Sequence, residues 1–423
     1  MRSNAQVKKL IAAIDIGTNK ICTLIGAQSP LGVDVIGWGI SPSSGISKGN
    51  IENIPLAIDA LKASVEAAEA RSGEKIKSAY VGITGTHLKF ENRKDRLDWV
   101  GKHGVITSEE LMKIPTELSS SLSSATQEVI HTIPVGYSID GKNGIRNPLG
   151  MHASNLAVET HIVSASTLMI NKMKDTMKGI GIEMDGLVME SFASSKSILT
   201  EEEKALGVAL IDIGAGTTDI SIHVGGAITH SAVIPVGGFQ FTNDICVTYN
   251  TNFDAAEAVK INEAHTLPDT VRPLEEINLP VLGRVTGLNV PLRDICILMR
   301  ERAQELMRLV VIKLRDAGIE DVSDFRLVFT GGGSQLTGLE DLARRMISGK
   351  VRTGMPHSNT GVPEELIDPS YSTAVGILLW GNTKLGSNNR IPVGNSYGAD
   401  RRTNQSSNPS TRISKLLSAF KFN

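Results

Sequence analysis

Hydrophobic positions along this chain switch between a period of two and a period of three to four. Leu10 to Ile25 and Val33 to Ile40 read as strands, with turn signals at Ser29-Pro30 and Ser41-Pro42. Asn50 to Ala70 then takes helical spacing. Pro55 suits a first turn, Ile58, Leu61 and Val65 share a face, and Gly73 follows the end. Ser78 to Thr84 returns to a strand, which makes this a βαβ-type alternation. From Thr86 to about His161 the pattern changes to short strands, charged turns and one helix, for which Thr107-Ser-Glu-Glu110 has capping-box spacing. Pro134 inside the strand-like run Gln127 to Asp140 predicts an edge strand or a bulge. Leu156 to Val163 alternates cleanly. Residues 86–162 therefore read as an inserted small α+β subdomain, the alternative being a decorated part of the first domain.

The remainder repeats the alternation. Thr167 to Lys178 is helical, with Met169, Met173 and Met177 forming a core face. Val188 to Leu199 is a helix of small residues opened by Glu190, and small residues let helices approach closely, as a hinge needs. Val208 to Ile213 is an apolar run interrupted by Asp212, followed by Gly214-Ala-Gly216, Thr217, Thr218 and an alternating run from Asp219. Ile228 to Pro235 is a strand, Gly237-Gly238 lead into a helix, and Asp254 to Lys260 starts another with capping-box spacing. His265 to Val290 is β-like, and Pro291 to Ala317 is a long amphipathic helix ended by Gly318. Phe325 to Thr330 is a strand, followed by Gly331-Gly-Gly-Ser334 and a helix from Leu336. Tyr371 to Trp380 is a last apolar helix, whose Ala374 and Gly376 suit packing on the Ala193 helix.

From Gly381 to Pro409 there is no periodicity, which predicts a disordered linker. The final residues regain a face: Ile413, Leu416, Leu417 and Phe420 recur at helical spacing, flanked by Arg412, Lys415 and Lys421. A short basic amphipathic helix on a tether reads as an anchor to an anionic membrane surface; the alternative is docking on the body or a partner. Four large side chains at about 1.5–3 kcal/mol each give a gross gain of roughly 6–12 kcal/mol. Ordering the segment at ~1–2 kcal/mol per residue removes much of it. One tail therefore binds weakly, and several tails on one polymer bind by avidity.

The candidate chemistry lies in a repeated motif. Ala13-Ile-Asp-Ile-Gly-Thr-Asn-Lys20 shares Ile-Asp-Ile-Gly with Leu210-Ile-Asp-Ile-Gly-Ala-Gly-Thr-Thr218. Alone, the second motif reads as a phosphate loop, the alternative being a hairpin with a buried, satisfied Asp. Twice, they suggest a duplicated fold sending two glycine turns to the same phosphates. Gly17, Thr18, Asn19 and Lys20 on one side, with Gly214, Ala215, Gly216, Thr217 and Thr218 on the other, are the candidate phosphate ligands. Asp15 and Asp212 are candidates to hold magnesium through water. Gly331, Gly332 and Gly333 form a third turn that fits the opposite wall of a nucleotide cleft.

Composition narrows this reading. At 423 residues the chain is long enough for two to four domains. A net charge of −2 gives no reason to expect nucleic acid. Cys22, Cys246 and Cys296 are scattered in apolar contexts, form no metal pattern and read as buried thiols of a cytosolic protein. No apolar run reaches the roughly 18 residues of a membrane span, and the polar Met1 to Lys9 is not a signal peptide.

Two Asp-Ile-Gly hairpins, a small-residue helix between them, a Gly-Gly-Gly turn and the Ser372-Thr-Ala-Val-Gly376 helix together resemble the actin, sugar-kinase and DnaK-type chaperone superfamily. Within it, the chain resembles the FtsA family of bacterial cell division from about residue 10 to the end. The most specific pieces are His131-Thr-Ile-Pro134 with Tyr137, Ile139-Asp140, Gly144-Ile-Arg-Asn-Pro148 and Gly150-Met151. The resemblance implies an α/β fold of duplicated actin-like (ribonuclease H-like) domains around a nucleotide cleft. Its divisions would be 10–85 with 163–203, the insert 86–162, 204–240 with 325–381, a fourth subdomain 241–324, a linker 382–409 and an anchor 410–423. It also implies ATP and magnesium as cofactors, polymerisation, and tethering of FtsZ to the cytoplasmic face of the membrane at the septum, alongside other division proteins. The FtsZ C-terminal peptide would dock on the fourth subdomain. Glu257 and Lys260 would reach the adenosine, and Glu190 would position an attacking water in a slow ATPase at most. The spacing of Lys20 from Asp15 is not that of the actin lysine. Two other functions share the fold: a sugar or acid kinase, which a coupled kinase screen distinguishes, and a scaffold of a pilus or secretion machine.

Overall fold

The computed structural model describes residues 9–30, 32–98, 104–347, 349–357 and 361–386. The linker expected beyond residue 386 and the expected anchor with Arg412, Ile413, Lys415, Leu416, Leu417, Phe420 and Lys421 lie outside the described residues.

The first half begins with an antiparallel meander of β1 (Leu10–Ile16), β2 (Lys20–Ser29) and β3 (Gly32–Pro42). A small hairpin, β4 (Ile46–Ser47) and β5 (Asn50–Ile51), leads into α1 (Ile54–Ser72). Asn53 caps that helix by accepting the Leu56 N–H, and Gly73 ends it at φ 71°, a left-handed position that a glycine takes without strain. β6 (Ser78–Ile83) then lies parallel to β1.

Here the chain leaves the sheet for a second one, built from β7 (Lys89–Arg96), β8 (Gln127–Ile139), β9 (Lys142–Ile145) and β10 (Leu156–Ser166), with α2 (Ser108–Leu122) packed on it. The Thr107 capping box of α2 is formed. Pro134 sits at a bulge: Glu159 pairs with Gly136 and Thr160 with Pro134, so Val135 is left over. β9 pairs with β8 only at Tyr137 and Ile139, so the β8–β9 ladder does not need the missing N–H. Ile106, Ile114, Leu118, Leu156 and Val158 give this sheet a core of its own.

The chain returns through α3 (Thr167–Gly179), whose Met173 and Met177 are buried, to β11 (Glu183–Met189), parallel to β6. The first sheet thus has the order β11-β6-β1-β2-β3. After α4 (Glu190–Ile198) and α5 (Glu201–Leu206), the second half repeats the plan. β12 (Val208–Ile213), β13 (Thr218–Val224) and β14 (Ala227–Ile234) form the meander. α6 (Gly238–Tyr249), α7 (Phe253–Asn262), the hairpin β15 (Glu276–Leu279) and β16 (Leu288–Pro291), and α8 (Leu292–Asp316) intervene. Then β17 (Arg326–Thr330) lies parallel to β12, and α9 (Leu339–Ile347) leads to β18 (Lys350–Thr353). The order β14-β13-β12-β17-β18 copies the first sheet read from β3 to β11, strand for strand. Every residue of β12 is buried, as a central strand covered on both faces must be.

α10 (Ser372–Gly386) crosses back and packs on α4 and on the first sheet. A Cβ at Gly376 would overlap the Ala193 carbonyl, so glycine is what lets the two helices touch.

Several boundaries differ from the sequence reading. Val188 and Met189 finish β11 and do not belong to the helix. The cap of α7 is Asn252, which accepts the Ala255 N–H at 2.8 Å, so Asp254 sits in the first turn instead of capping it. The Gly331 turn closes into a single 3-10 turn, Gly332–Gln335, and α9 starts only at Leu339. α10 runs through Gly386, past the expected start of the linker at 382. Cys22 and Cys296 are buried, whereas Cys246 is only half-buried.

Candidate functional site

The β1–β2 and β12–β13 turns close with the same bond. Gly17 N donates to Lys20 O at 3.1 Å, and Gly214 N donates to Thr217 O at 2.9 Å. A Cβ would stand 2.8 Å from Lys20 O in the first turn, which therefore needs glycine, and 3.2 Å from Thr217 O in the second, a tight contact that a larger side chain would press on. The turns face each other: a Cβ on Gly216 would meet Thr18 Oγ1 at 2.7 Å. Between them opens a cavity of about 390 Å³.

This cavity collects nearly all of the expected site. Asp15, Gly17, Thr18, Asn19 and Lys20 line it from the first half, Glu190 from the head of α4, and Asp212, Gly214, Ala215, Gly216 and Thr217 from the second half. Gly331, Gly332 and Gly333 form another wall, with Glu257 and Lys260 of α7 beside them. Gly331 has φ 80°, and a Cβ there would run into the Asp212 carboxyl. Thr218 is the exception. Its Oγ1 donates to Val236 O at 2.8 Å inside the second half, so its hydroxyl serves the sheet and not the cavity.

The two aspartates are held differently. Ser194 Oγ of α4 donates to Asp212 Oδ2 at 2.5 Å, Thr373 Oγ1 of α10 donates to the same oxygen at 3.1 Å, and the two hydroxyls lie 2.9 Å apart. Asp212 is thus tied to both α4 and α10. Asp15 faces Lys20 instead. Lys20 Nζ donates to Ser370 Oγ at 2.6 Å and stands 3.7 Å from the Tyr371 ring centroid, while burial lowers its pKa. Glu257 accepts from Thr242 Oγ1 and pairs with Lys260 at 2.6 Å, and Lys260 Nζ also donates to Gly238 O at 3.2 Å.

Sequence reasoning missed Asp219 and Thr84. Thr84 Oγ1, at the end of β6, donates across the cleft to Asp219 Oδ1 at 2.5 Å, and Thr217 Oγ1 donates to Asp219 Oδ2 at 3.0 Å. The available signal was an acid at the start of a strand that is buried throughout. Ser194 and Ser370 were equally invisible, and Thr373, although inside the Ser372–Gly376 motif, gave no local sign of a bond to Asp212.

Four carboxyls now share one buried space. Burial raises Asp15 to about 7, against the pull of Lys20 and with a push from Asp212. Burial raises Asp219 to about 7 despite its bond from Thr84, and raises Asp212 despite Ser194 and Thr373. Glu190 is pushed well above the carboxylate range by burial and then by Asp15, Asp219 and Asp212. Such a set calls for a cation. Among the described residues no three His, Cys, Asp or Glu side chains converge closely enough to ligate a metal directly. An all-oxygen set of this kind fits magnesium held through water, since that ion keeps most of its hydration shell.

Two sheets of one topology, each sending a glycine turn to a common cleft and joined by a helix pair that touches at Gly376, define an actin-like fold. Solved structures agree. The PilM-PilN type IV pilus biogenesis complex matches with a TM-score of 0.62 at 18% identity, covering 89% of this chain and 99% of that one. MreB 5 of Spiroplasma citri bound to AMPPNP matches with a TM-score of 0.50 at 16% identity, covering 90% and 96%. At these identities the likeness is one of fold. Sequence carries the rest. The family "Cell division protein FtsA" matches residues 209–376, and "SHS2 domain inserted in FTSA" matches residues 85–164. The cell division protein FtsA of Pseudomonas aeruginosa is 35% identical over 407 residues, covering 94% of this chain and 95% of that protein. The chain belongs to the FtsA family of cell division proteins. Among the described residues no helix is long and apolar enough to cross a membrane.

Proposed function

We propose that this chain binds ATP with magnesium in the cleft, polymerises, and tethers FtsZ filaments to the cytoplasmic membrane at the septum. The observation that carries the reading is the convergence of two turns, alike in sequence and in backbone bonding, on one cavity. The backbone N–H groups of Thr18, Ala215 and Gly216, with the side chains of Asn19 and Lys20, would hold the phosphates, on turns shaped by the Gly17 and Gly214 closing bonds and with Thr217 holding Asp219 beside them. Gly331 to Gly333, Glu257 and Lys260 would take the adenosine. Asp15 and Asp212 would hold magnesium through water, and bound magnesium would offset the phosphate charge. Glu190 would orient a water toward the phosphates, giving slow hydrolysis at most. The output of the site is the angle between the two halves, and so readiness to polymerise, more than a chemical product. AMPPNP in MreB 5 supports a nucleotide in a cleft of this fold.

Subdivision of the chain into the segments given above, with 241–324 receiving the FtsZ C-terminal peptide, is part of this proposal. So is anchoring by residues 410–423, whose apolar face and flanking Arg412, Lys415 and Lys421 suit an anionic surface. The test removes residues 410–423 and adds an immobilised FtsZ C-terminal peptide. Liposome co-sedimentation is lost while ATP binding and peptide capture persist. Pelleting unchanged by the truncation removes the anchor from the account, and failure to capture the peptide removes the tether.

A further inference from the structure

The motif His131-Thr-Ile-Pro134 plays no part in the cavity, yet its first residue grips the frame around it. His131 lies on β8 of the inserted sheet and is buried. Its Nε2 accepts the backbone N–H of Met189 at 3.0 Å. Met189 ends β11 and immediately precedes Glu190, the first residue of α4. The imidazole also stands edge-on to Phe192 of α4 and Trp380 of α10, with centroids 5.4 and 5.5 Å away, and those rings pack on each other at 5.0 Å. His131 is wedged between the hinge helices, on a peptide unit whose next side chain lines the cavity. Burial, and secondarily Lys384, lower its pKa to about 3, so the accepting lone pair is present at any neutral pH.

The insert grips the other half as well. Asn92 Nδ2 of β7 donates to Thr229 O of β14 at 2.7 Å, and His161 Nε2 of β10 lies 3.0 Å from Ser231 Oγ of β14. One subdomain therefore holds the head of the hinge and the outer strand of the second sheet. A rotation of the halves must strain one grip or the other.

We propose that His131 is a positioning residue: by holding the Met189 N–H it fixes the head of α4 and the Glu190 carboxyl, and so couples the inserted subdomain to the cleft. This rests on the reading of the cleft as an ATP site. The test compares the full-length wild type, His131→Phe, His131→Gln, Glu190→Gln and the double variant His131→Phe with Glu190→Gln. The readout is the release rate of a fluorescent ATP analogue with magnesium. Phe keeps the ring contacts but offers no acceptor, whereas Gln restores one. His131→Phe is expected to change release about fivefold or more, His131→Gln to stay within about twofold of wild type, and His131→Phe to add under about twofold to Glu190→Gln, because groups acting through one carboxyl are not additive. Independent, multiplying effects, or equal changes in Phe and Gln, overturn the proposal. Wild-type release in His131→Phe, or no change in Glu190→Gln, overturns it alone; no analogue binding by the wild type overturns the ATP-site reading with it. Should His131→Phe fail to fold, hydrogen exchange on the wild type decides. Segments 127–139 and 187–194 are expected to gain protection together when the analogue is added, and a change in only one is the contrary result.

Discussion

The two glycine turns share a sequence and a closing bond, and yet their aspartates live in different surroundings. Asp212 is clamped through one oxygen by Ser194 and Thr373, hydroxyls borrowed from the two hinge helices. Asp15 has no such clamp among the described residues and faces a lysine, Lys20, that is itself tied to Ser370 and Tyr371. Duplication supplied the same backbone cradle twice, and the side chains around it then diverged. The first turn carries the cation; the second is neutral at that position, with Thr217, and is wired to the hinge. Under the proposed function, the first turn would deliver charge to the nucleotide and the second would couple the site to the helix pair.

The clamp is the place where that contrast breaks most severely. Replacing Ser194 and Thr373 together by Ala removes two bonds to a buried carboxylate, each worth about 1.5–3 kcal/mol. The double variant should lose several degrees or more in Tm and bind ATP much more weakly in calorimetry; wild-type values in both would show that Asp212 needs no clamp. Next in size is acid sensitivity, which the halves should not share. His161 and His223 border the second sheet and His131 the hinge, and burial, the leading cause for each, lowers them to about 3. Unfolded histidine takes its proton near pH 6.5. Stability from these groups is therefore complete above that pH and is lost as pH falls toward 3, by about 1.4 kcal/mol per unit for each group. Hydrogen exchange at pH 5.5 should show β8, β13 and β14 losing protection before β1 and β2; uniform loss would remove the asymmetry.

Lys20→Ala tests the charged side. Loss of one cation from the first turn should weaken ATP by roughly tenfold, less so at high salt. Thr218→Val has the smallest effect on the nucleotide. Because its hydroxyl bonds Val236 O, the substitution should lower stability by about 1–3 kcal/mol and leave ATP affinity unaltered. A large affinity loss would return Thr218 to the site.

What could be read from the sequence, and what could not, follows from distance along the chain. A turn is local, so Asp15 to Lys20 and Asp212 to Thr217 announced themselves as contiguous motifs, and the repeat announced the duplicated fold. Small residues at Ala193 and Gly376 announced the helix contact, because only close approach gives such a pattern a purpose. The Ser194 and Thr373 clamp could not be read, since those residues lie 18 and 161 positions from Asp212 and look like ordinary helix polar residues. The Thr84–Asp219 bond spans 135 positions and was equally hidden. Thr218 was misplaced because successive strand residues point to opposite faces, and the change from turn to strand falls between it and Thr217. Asn252 and Asp254 are both plausible caps by composition, and only the backbone at the start of α7 chooses between them.

The central claim is that two equivalent turns hold one nucleotide between them. Calorimetric titration of ATP with magnesium into Gly17→Val and Gly214→Val tests it directly. Each side chain intrudes on its own closing bond, at 2.8 Å from Lys20 O and 3.2 Å from Thr217 O, while the other turn stays intact. The account predicts that either substitution alone weakens ATP by a hundredfold or more. Wild-type affinity in either variant would contradict it.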